Sequence, residues 1–341
     1  IGEYVSEKKD AARAAQTQSE EFELLDILKD GQFRSGEELG LRLGITRSAV
    51  WKRIRKINSS LGVTVHSVPG RGYKLAQEMI NLAPAERFKG HSYSWDSVRL
   101  ETIDSTNAEA LRQLEAGRAA PFAIVAEMQT AGRGRRGRVW VSPYCENLYF
   151  SLVLRVESGL RQLEGLSLSV GLAVLRALKE IGLFDVGLKW PNDILASGSK
   201  LAGVLIELVG DVADTCHVVI GIGVNVNMLK SPEDITQRWT SVNLEMGKSL
   251  DRNLLLSVLE TQLDRYLAVH MNHGFAALRD EWEAQNLWRE KWVVLTSGTN
   301  AVTGLFLGVD TVGALKLLID GEVRVFNGGE ISLRLDDDIR G

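Results

Sequence analysis

At 341 residues the chain is too long for one ordinary hydrophobic core, so two or three domains are expected. Hydrophobic residues at 45% and charged residues at 25% are the balance of a globular enzyme and exclude a disordered or fibrous chain. A net charge of −4 excludes a protein that coats nucleic acid with its whole surface.

The opening run IGEYVSEKKDAARAAQTQSEE is charged and Gln/Ala-rich without an apolar stretch, which is neither a secretory signal nor a membrane anchor. No later apolar run is long enough to span a bilayer. A cytoplasmic protein without a membrane partner is expected, with residues 1–20 as a flexible extension. The two cysteines, Cys145 and Cys216, are too few for a disulfide framework and read as plain buried thiols.

Residues 22–30 (FELLDILKD) have helical apolar spacing and stop at Gly31. Ser35-Gly36-Glu37-Glu38 is a capping-box arrangement that opens a short helix through Leu39, Leu41 and Leu43, closed by Gly44. Thr46 caps a third helix with Val50, Ile54, Ile57 and Leu61 on one side. Behind it VTVHSVPGRGYKL alternates around Pro69-Gly70-Arg71-Gly72, which reads as a hairpin wing.

From Leu39 to Gln77 there is no Asp or Glu, while Arg42, Arg47, Lys52, Arg53, Arg55, Lys56, Arg71 and Lys74 all fall there. A local basic face on an acidic chain is the footprint of a nucleic-acid module, here a winged helix-turn-helix over residues 21–80. Arg47, Ser48, Trp51, Lys52 and Arg55 would face the major groove or its phosphates, and Arg71 and Lys74 the backbone. A merely solvated basic helix is the competing reading.

Residues 78–98 read as a linker and a small helix. Beyond them come strand-like VRLETID, a helix opened by Ser105-Thr106-Asn107, and strand-like FAIVAEM, then a Gly/Arg loop. Strand-like VWVSP and NLYFSLVLRV follow, with a helix across LEGLSLSVGLAVLRALKEIG and strands in VGLKWP, LAGVLIELV and CHVVIGIGVNVN. Long helices are expected over 252–270 and 274–289. The fold class is mixed α+β, with one sheet and its helices forming an α/β domain over residues 81–290. Short β-branched runs with Gly turns between Trp292 and Leu335 predict a small β-barrel within residues 291–341.

The loop Gln129-Thr130-Ala131-Gly132-Arg133-Gly134-Arg135-Arg136-Gly137-Arg138-Val139-Trp140 contains G-x-G-x-x-G at Gly132, Gly134 and Gly137. A dinucleotide turn is rejected, because a strand-like run follows where a helix must present its N-terminus to a pyrophosphate. Glycines let backbone approach a ligand, while Arg133, Arg135, Arg136 and Arg138 neutralise phosphates. A nucleotide-handling lid fits; a second nucleic-acid patch is the alternative.

GRGRRGRVW, the upstream ETIDSTN and the downstream LKWPNDI, SKLAGVLIEL and GIGVNVN stand in the order and spacing of the biotin protein ligases. With the winged helix in front, residues 22–336 resemble the members that also repress the biotin operon. The resemblance implies an SH3-like C-terminal barrel. It also implies an ATP-dependent biotin–[acetyl-CoA-carboxylase] ligase, with ATP, biotin and ATP-borne Mg2+ as its small molecules. Its implied partners are a biotin carboxyl carrier protein, operator DNA and, when adenylate is bound, a second copy of the chain.

By the same resemblance Ser105, Thr106, Asn107 and Gln129 bind the ureido end of biotin, and Ser105 is equally an ordinary N-cap. Arg133, Gly134 and Arg135 lie over the biotin chain and phosphate, and Lys200 contacts the biotin carboxylate and nucleotide phosphate. Arg135, Arg136, Arg138, Trp140, Asn192 and Asn225 fall at the nucleotide. Trp140 either stacks on adenine or belongs to the core, and Asp193 either helps deprotonate the carrier amine or shapes a turn. Arg133, Arg135, Lys200 and Asp193 form the candidate catalytic set. His270 and His273 form a lone H-x-x-H without enough ligands for a metal and read as surface residues. A lipoate-type acyl ligase and a ligand-sensing transcription factor without catalysis are the remaining alternatives.

Overall fold

The computed structural model describes residues 20–76, 79–84, 86–157, 159–210, 216–231, 235–328 and 331–336. Apart from Glu20, the expected N-terminal extension lies outside the described residues. Two compact units divide the chain. The first ends at Asn81 and recruits Pro143–Cys145; the second holds Leu82–Ser142 and everything from Glu146 onward.

In the first unit, helix α1 (residues 20–28) precedes α2 (Gly36–Leu43) and α3 (Arg47–Ser60), followed by the hairpin β1 (Val65–Val68) and β2 (Gly72–Leu75). Ser35 Oγ caps α2 by accepting from Glu38 N at 3.0 Å. The reciprocal half of the box is not among the bonds seen; the Glu38 carboxylate pairs instead with Arg34 and Arg42 at 3.0 and 3.1 Å. Thr46 caps α3 from Ala49 N. Leu24, Leu28, Leu39, Val50, Ile54, Ile57 and Leu61 are buried, so most of the helical spacing read from the sequence is the packing face, but Leu41 of α2 is 86% exposed and stands off that face.

The second unit runs β3 (Arg87–Lys89), β4 (Ser94–Ile103), α4 (Thr106–Glu115), β5 (Phe122–Gln129), β6 (Leu148–Val156), α5 (Leu166–Glu180), β7 (Val186–Lys189), β8 (Asp193–Ala196), β9 (Ser199–Gly210) and β10 (Cys216–Val224). It continues through α6 (Val242–Met246), α7 (Arg252–His273) and α8 (Arg279–Ala284) to β11 (Trp292–Ser297), β12 (Asn300–Val309), β13 (Leu315–Ile319), β14 (Glu322–Phe326) and β15 (Ile331–Leu335). Strands β3 to β10 form one sheet in the order β3-β4-β5-β6-β10-β9-β8-β7. The last five make a small antiparallel sheet, β14-β13-β12-β11-β15.

Side chains alternate across the larger sheet with the two-residue period of a strand. Ala123, Val125, Phe150, Leu152, Leu154, Val218, Ile220 and Ile222 join the main core with α5 and α7. Phe122, Ile124, Val153 and Val219 face the other way, with Ala110 of α4. That second face becomes glycine-rich and polar toward the carboxyl end of β5, which opens the site. Beneath it Glu127, fully buried, accepts from Arg252 at 2.6 Å, Arg99 at 2.9 Å and Leu82 N at 2.6 Å, so its charge is paired.

Five expectations are corrected. No helix occurs among the described residues of 78–98; β3 pairs there with the start of β4. The helix expected over 274–289 is a 3-10 turn at Phe275–Ala277 and the six-residue α8. Gly274, at φ +72, breaks the run, and backbone at Gln285 and Leu287 bonds instead to Leu188 on the edge of β7. VWVSP is no strand but contributes a single bridge, Arg133↔Val139. Strand β8 was not expected; only four residues long, it hid behind Pro191-Asn192. His270 is fully buried, its Nδ1 at 2.7 Å from Ser169 Oγ and its Nε2 at 3.0 Å from the Gln162 carbonyl, whereas His273 is exposed as expected. Cys145 and Cys216 are buried free thiols. Among the described residues no helix is long and apolar enough to cross a membrane.

Candidate functional site

A cleft of about 670 Å³ lies on the α4 face of the large sheet. Its floor is set by register: Ser151 of β6 stands beside Gly221 of β10, which stands beside Leu205 of β9, and Tyr149, Gly223 and Gly203 form the next row. The glycines are required by what lies on them. A Cβ on Gly221 would meet Asn107 Oδ1 at 2.4 Å, and one on Gly223 would meet the Trp140 ring at 2.5 Å.

The end nearest α4 is a hydrogen-bonded polar wall. Ser105 is the α4 N-cap, and Ser105, Thr106 and Asn107 are all buried. Gln129, the last residue of β5, accepts at Oε1 from Thr106 N at 2.9 Å, with Thr106 Oγ1 also 3.2 Å from that oxygen, and donates from Nε2 to Ser142 Oγ at 2.9 Å. Ser151 Oγ lies 2.7 Å from Thr106 Oγ1 and 2.6 Å from Asn107 Oδ1. Asn107 Nδ2 donates to Glu207 of β9.

The glycine/arginine loop arches over the cleft. Trp140 N bonds Gly132 O at 2.9 Å and Gly134 N bonds Arg138 O at 2.7 Å, closing a narrow arch with a 3-10 turn at Arg135–Gly137 as its tip. No α-helix begins at these glycines, so the rejection of a dinucleotide turn stands on geometry. Arg135 Nη1 donates to Asn192 Oδ1 at 3.0 Å, and Nη2 reaches the Gly328 and Ile331 carbonyls at 2.6 and 3.3 Å. Burial holds the Arg135 guanidinium below its usual pKa, against the opposing pull of Asp193. Arg133 pairs with Glu207 at 3.2 Å, and Arg136 and Arg138 also line the cleft.

The far end is cationic. Asp193 Oδ1 lies 2.7 Å from Lys200 Nζ and Oδ2 lies 3.4 Å from Lys189 Nζ. Burial alone would raise the Asp193 carboxyl, but Lys200 and Lys189 outweigh it and hold it below its ordinary value. A carboxylate so held is a poor proton acceptor, so this geometry favours Asp193 as a positioner of Lys200 over the base role raised from sequence. Lys189 is pushed down by burial, partly countered by Asp193. Lys200 Nζ stands 5.3 Å from the Trp140 ring centre. Trp140 is neither core nor free surface: half-buried, it lines the cleft, and its buried Nε1 has no hydrogen-bond partner among the described residues. Asn192 and Asn225 both line the cleft and are tied to backbone, at Val204 O (2.8 Å) and Thr240 O (3.0 Å).

Every residue that the sequence placed at the small-molecule site therefore lines one cleft. Sequence reasoning missed Ser142, Ser151 and Glu207, and it gave Lys189 no role of its own within the LKWPND cluster that the resemblance places beside the ligand. A lone serine within the apolar run LYFSLVL and alternate glycines in a buried strand were the available signals; Glu207 gave none, since a charge in an alternating strand reads as solvated. In the first unit Arg47, Ser48, Trp51, Lys52 and Arg55 are exposed along α3, with Arg55 over the Trp51 ring at 4.9 Å. Arg71 and Lys74 of the hairpin flank the Phe33 ring at 4.1 and 5.6 Å. Arg53 and Lys56 turn back to Glu20 and Glu21, leaving the outward stripe to the others.

Known families match these parts in order. Residues 20–74 match an HTH domain, 100–225 the biotin/lipoate A/B protein ligase family, and 291–334 the biotin protein ligase C terminal domain. A nucleotide-dependent acyl ligase with a helix-turn-helix module is thus the class that fold and site define. The bifunctional ligase/repressor BirA of Salmonella typhimurium is 41% identical over 312 residues, 91% of this chain and 96% of that protein. The Escherichia coli BirA is 39% identical over 317 residues, 92% and 97% of the two chains. A biotin protein ligase from Aquifex aeolicus, solved with biotin and ATP, superposes with a TM-score of 0.62 at 33% identity, covering 70% of this chain and 99% of that one. The chain belongs to the biotin protein ligase family, in its bifunctional ligase/repressor branch.

Proposed function

We propose that this protein activates biotin with ATP, transfers it to a lysine of a biotin carboxyl carrier protein, and represses transcription through its winged helix. The observation that carries the reading is one continuous cleft with a hydrogen-bonding wall at one end and paired lysines and arginines at the other. A cyclic urea needs donors and acceptors together, and Ser105, Thr106, Asn107 and Gln129 supply both. Its carboxylate then points toward Lys200, under Arg133, Gly134 and Arg135.

The carboxylate attacks the α-phosphate of ATP, the bond to the β-phosphate oxygen breaks, and pyrophosphate leaves biotinyl-5′-AMP. Arg135, Arg136, Arg138, Lys189 and Lys200 offset the charge that builds at phosphorus. Trp140, Asn192 and Asn225 border the nucleoside. Mg2+ would come with ATP, held by its phosphates, and would offset their charge there, while Asp193 is engaged by two ammonium groups. The carrier amine then attacks the acyl carbon and AMP departs. Until it does, the arch held by Arg135 shields the mixed anhydride from water.

Arg47, Ser48, Trp51, Lys52 and Arg55 on α3, with Arg71 and Lys74 on the wing, form the operator-facing surface. Biotinyl-5′-AMP acts as corepressor by favouring a homodimer that presents two wings to spaced half-sites. Carrier, ATP and operator all lie in the cytoplasm, the compartment this function assigns.

The test is biotin-dependent release of pyrophosphate from ATP by the purified chain, with lipoate as control acid and a carrier domain as acceptor. Release with biotin and label on the carrier are expected; release with lipoate alone would move the substrate to the other branch of the family.

A further inference from the structure

Glu207 of β9 stands behind the cleft lining, in contact with its residues Asn107 and Arg133 and with 26% of its side chain exposed, and no step of the chemistry above uses it. Its carboxylate offers acceptors only. Oε2 takes Asn107 Nδ2 at 2.7 Å, and both oxygens stand within 3.3 Å of Arg133 Nη2 on the arch.

An acceptor-only end sets the direction of the bonds behind it. Asn107 has to turn its amino group to Glu207 and its carbonyl to Ser151, which commits the Ser151 hydrogen to Asn107 Oδ1. The 2.7 Å contact between Ser151 and Thr106 Oγ1 then takes the Thr106 hydrogen, so the longer 3.2 Å approach of Thr106 Oγ1 to Gln129 Oε1 carries none. From the other side the Thr106 backbone N–H, a donor only, fixes Gln129 with its carbonyl inward. Gln129 Nε2 therefore points to Ser142, whose hydrogen goes to the Trp140 carbonyl at 2.9 Å. Both amides that wall the cleft are locked in orientation, and with them the pattern of spare donors and acceptors that a ligand meets.

We propose that Glu207 is a positioning and specificity-determining residue, which orients Asn107 toward a cyclic urea headgroup and latches Arg133 of the arch. The assignment rests on the ligase reading above. A dithiolane acid of the lipoate type cannot satisfy the locked amides, so binding it leaves them unpaired. Without Glu207 the Asn107 amide is free to turn over, and the discrimination narrows.

The two contacts separate by substitution. Glu207→Ala removes both: the KM for biotin should rise about tenfold, the KM for ATP stay within about twofold, and the preference for biotin over lipoate shrink. Glu207→Gln can still offer Asn107 a carbonyl but then turns an amino group to Arg133. It should return the biotin KM close to wild type while biotinyl-5′-AMP still escapes about tenfold faster than from wild type.

Pyrophosphate exchange with biotin and ATP varied separately, lipoate as competitor, and release of the adenylate measure all of this. An unchanged biotin KM in Glu207→Ala, beside normal wild-type exchange, overturns the assignment alone. So does a parallel rise in both KM values with preference unaltered, since that marks a general structural part. Absence of biotin-dependent exchange in the wild-type chain overturns the ligase reading itself, and this assignment with it.

Discussion

Arg135 divides one guanidinium between Asn192 and two main-chain carbonyls, Gly328 after β14 and Ile331 at the start of β15, so the arch is tied down by a planar fork that lysine cannot imitate. Arg135→Gly should therefore release biotinyl-5′-AMP some tenfold to hundredfold faster, the range for losing charged hydrogen bonds. Promiscuous biotin on a bystander protein, read by avidin blotting, checks it; unchanged retention would remove Arg135 from the closure. Arg135 was legible because arginines among glycines suit a phosphate-handling loop, whereas Lys200 was legible only through the family resemblance of SKLAG, since a lone lysine reads as surface charge. Glu207 was not legible, because its importance arises from Asn107, 100 positions away in the chain, and Ser151 showed only as an odd serine in an apolar run, its partner Asn107 being 44 positions away.

Strand β10 carries its function in the side chains it lacks. Gly223 leaves room for the Trp140 ring, and a Cβ placed there lies at 2.5 Å from it. Gly223→Ala should displace Trp140 and raise the KM for ATP at least about tenfold, with less effect on the biotin KM; equal KM values in variant and wild type would show that the ring is not held from below. Elements with a strong period were readable from the sequence: the helices of the first unit, α4, α5, α7 and the long strands. Those decided by long-range pairing were not. Strand β8 exists because β7 and β9 flank it, and the stretch after Gly274 gives up helix because the edge of β7 offers it backbone partners.

At the scale of the molecule, the two units should answer to different solution variables. Arg47→Ala combined with Lys52→Ala should weaken DNA binding and reduce the slope of log affinity against log salt by about 2, while biotin transfer to the carrier stays within about twofold. A matching loss of ligation would show that the activities are not separable. Stability carries its own pH signature. Burial pushes the Glu260 carboxyl up to about 7 from 4.5, against the hydrogen bond that it accepts from Trp95 Nε1. The folded chain thus holds this proton more tightly than the unfolded one, so the contribution is complete below about pH 4.5 and is lost as pH rises through about 7. Glu260→Gln keeps an acceptor for Trp95 and should flatten the fall of the thermal midpoint across that window, by up to about 3 kcal/mol in stability. An identical profile would rule the group out. The broad division into helix-turn-helix, α/β domain and terminal β module was visible from charge and periodicity, whereas the two contact-defined units were not, because Pro143–Cys145 join the first unit from far along the chain.

The anchors of the arch in the C-terminal β module are carbonyl oxygens, at Gly328 beyond the end of β14 and at Ile331 of β15. A backbone oxygen is present whatever side chain the residue bears, and a Cβ on Gly328 would meet nothing nearer than 3.7 Å. Selection on this contact would therefore act on length and hardly on spelling. Gly328→Ala should pass unnoticed in adenylate retention, while deleting one residue between Ile319 and Gly328 shifts the oxygen off Arg135 and should mimic the loss of the arginine.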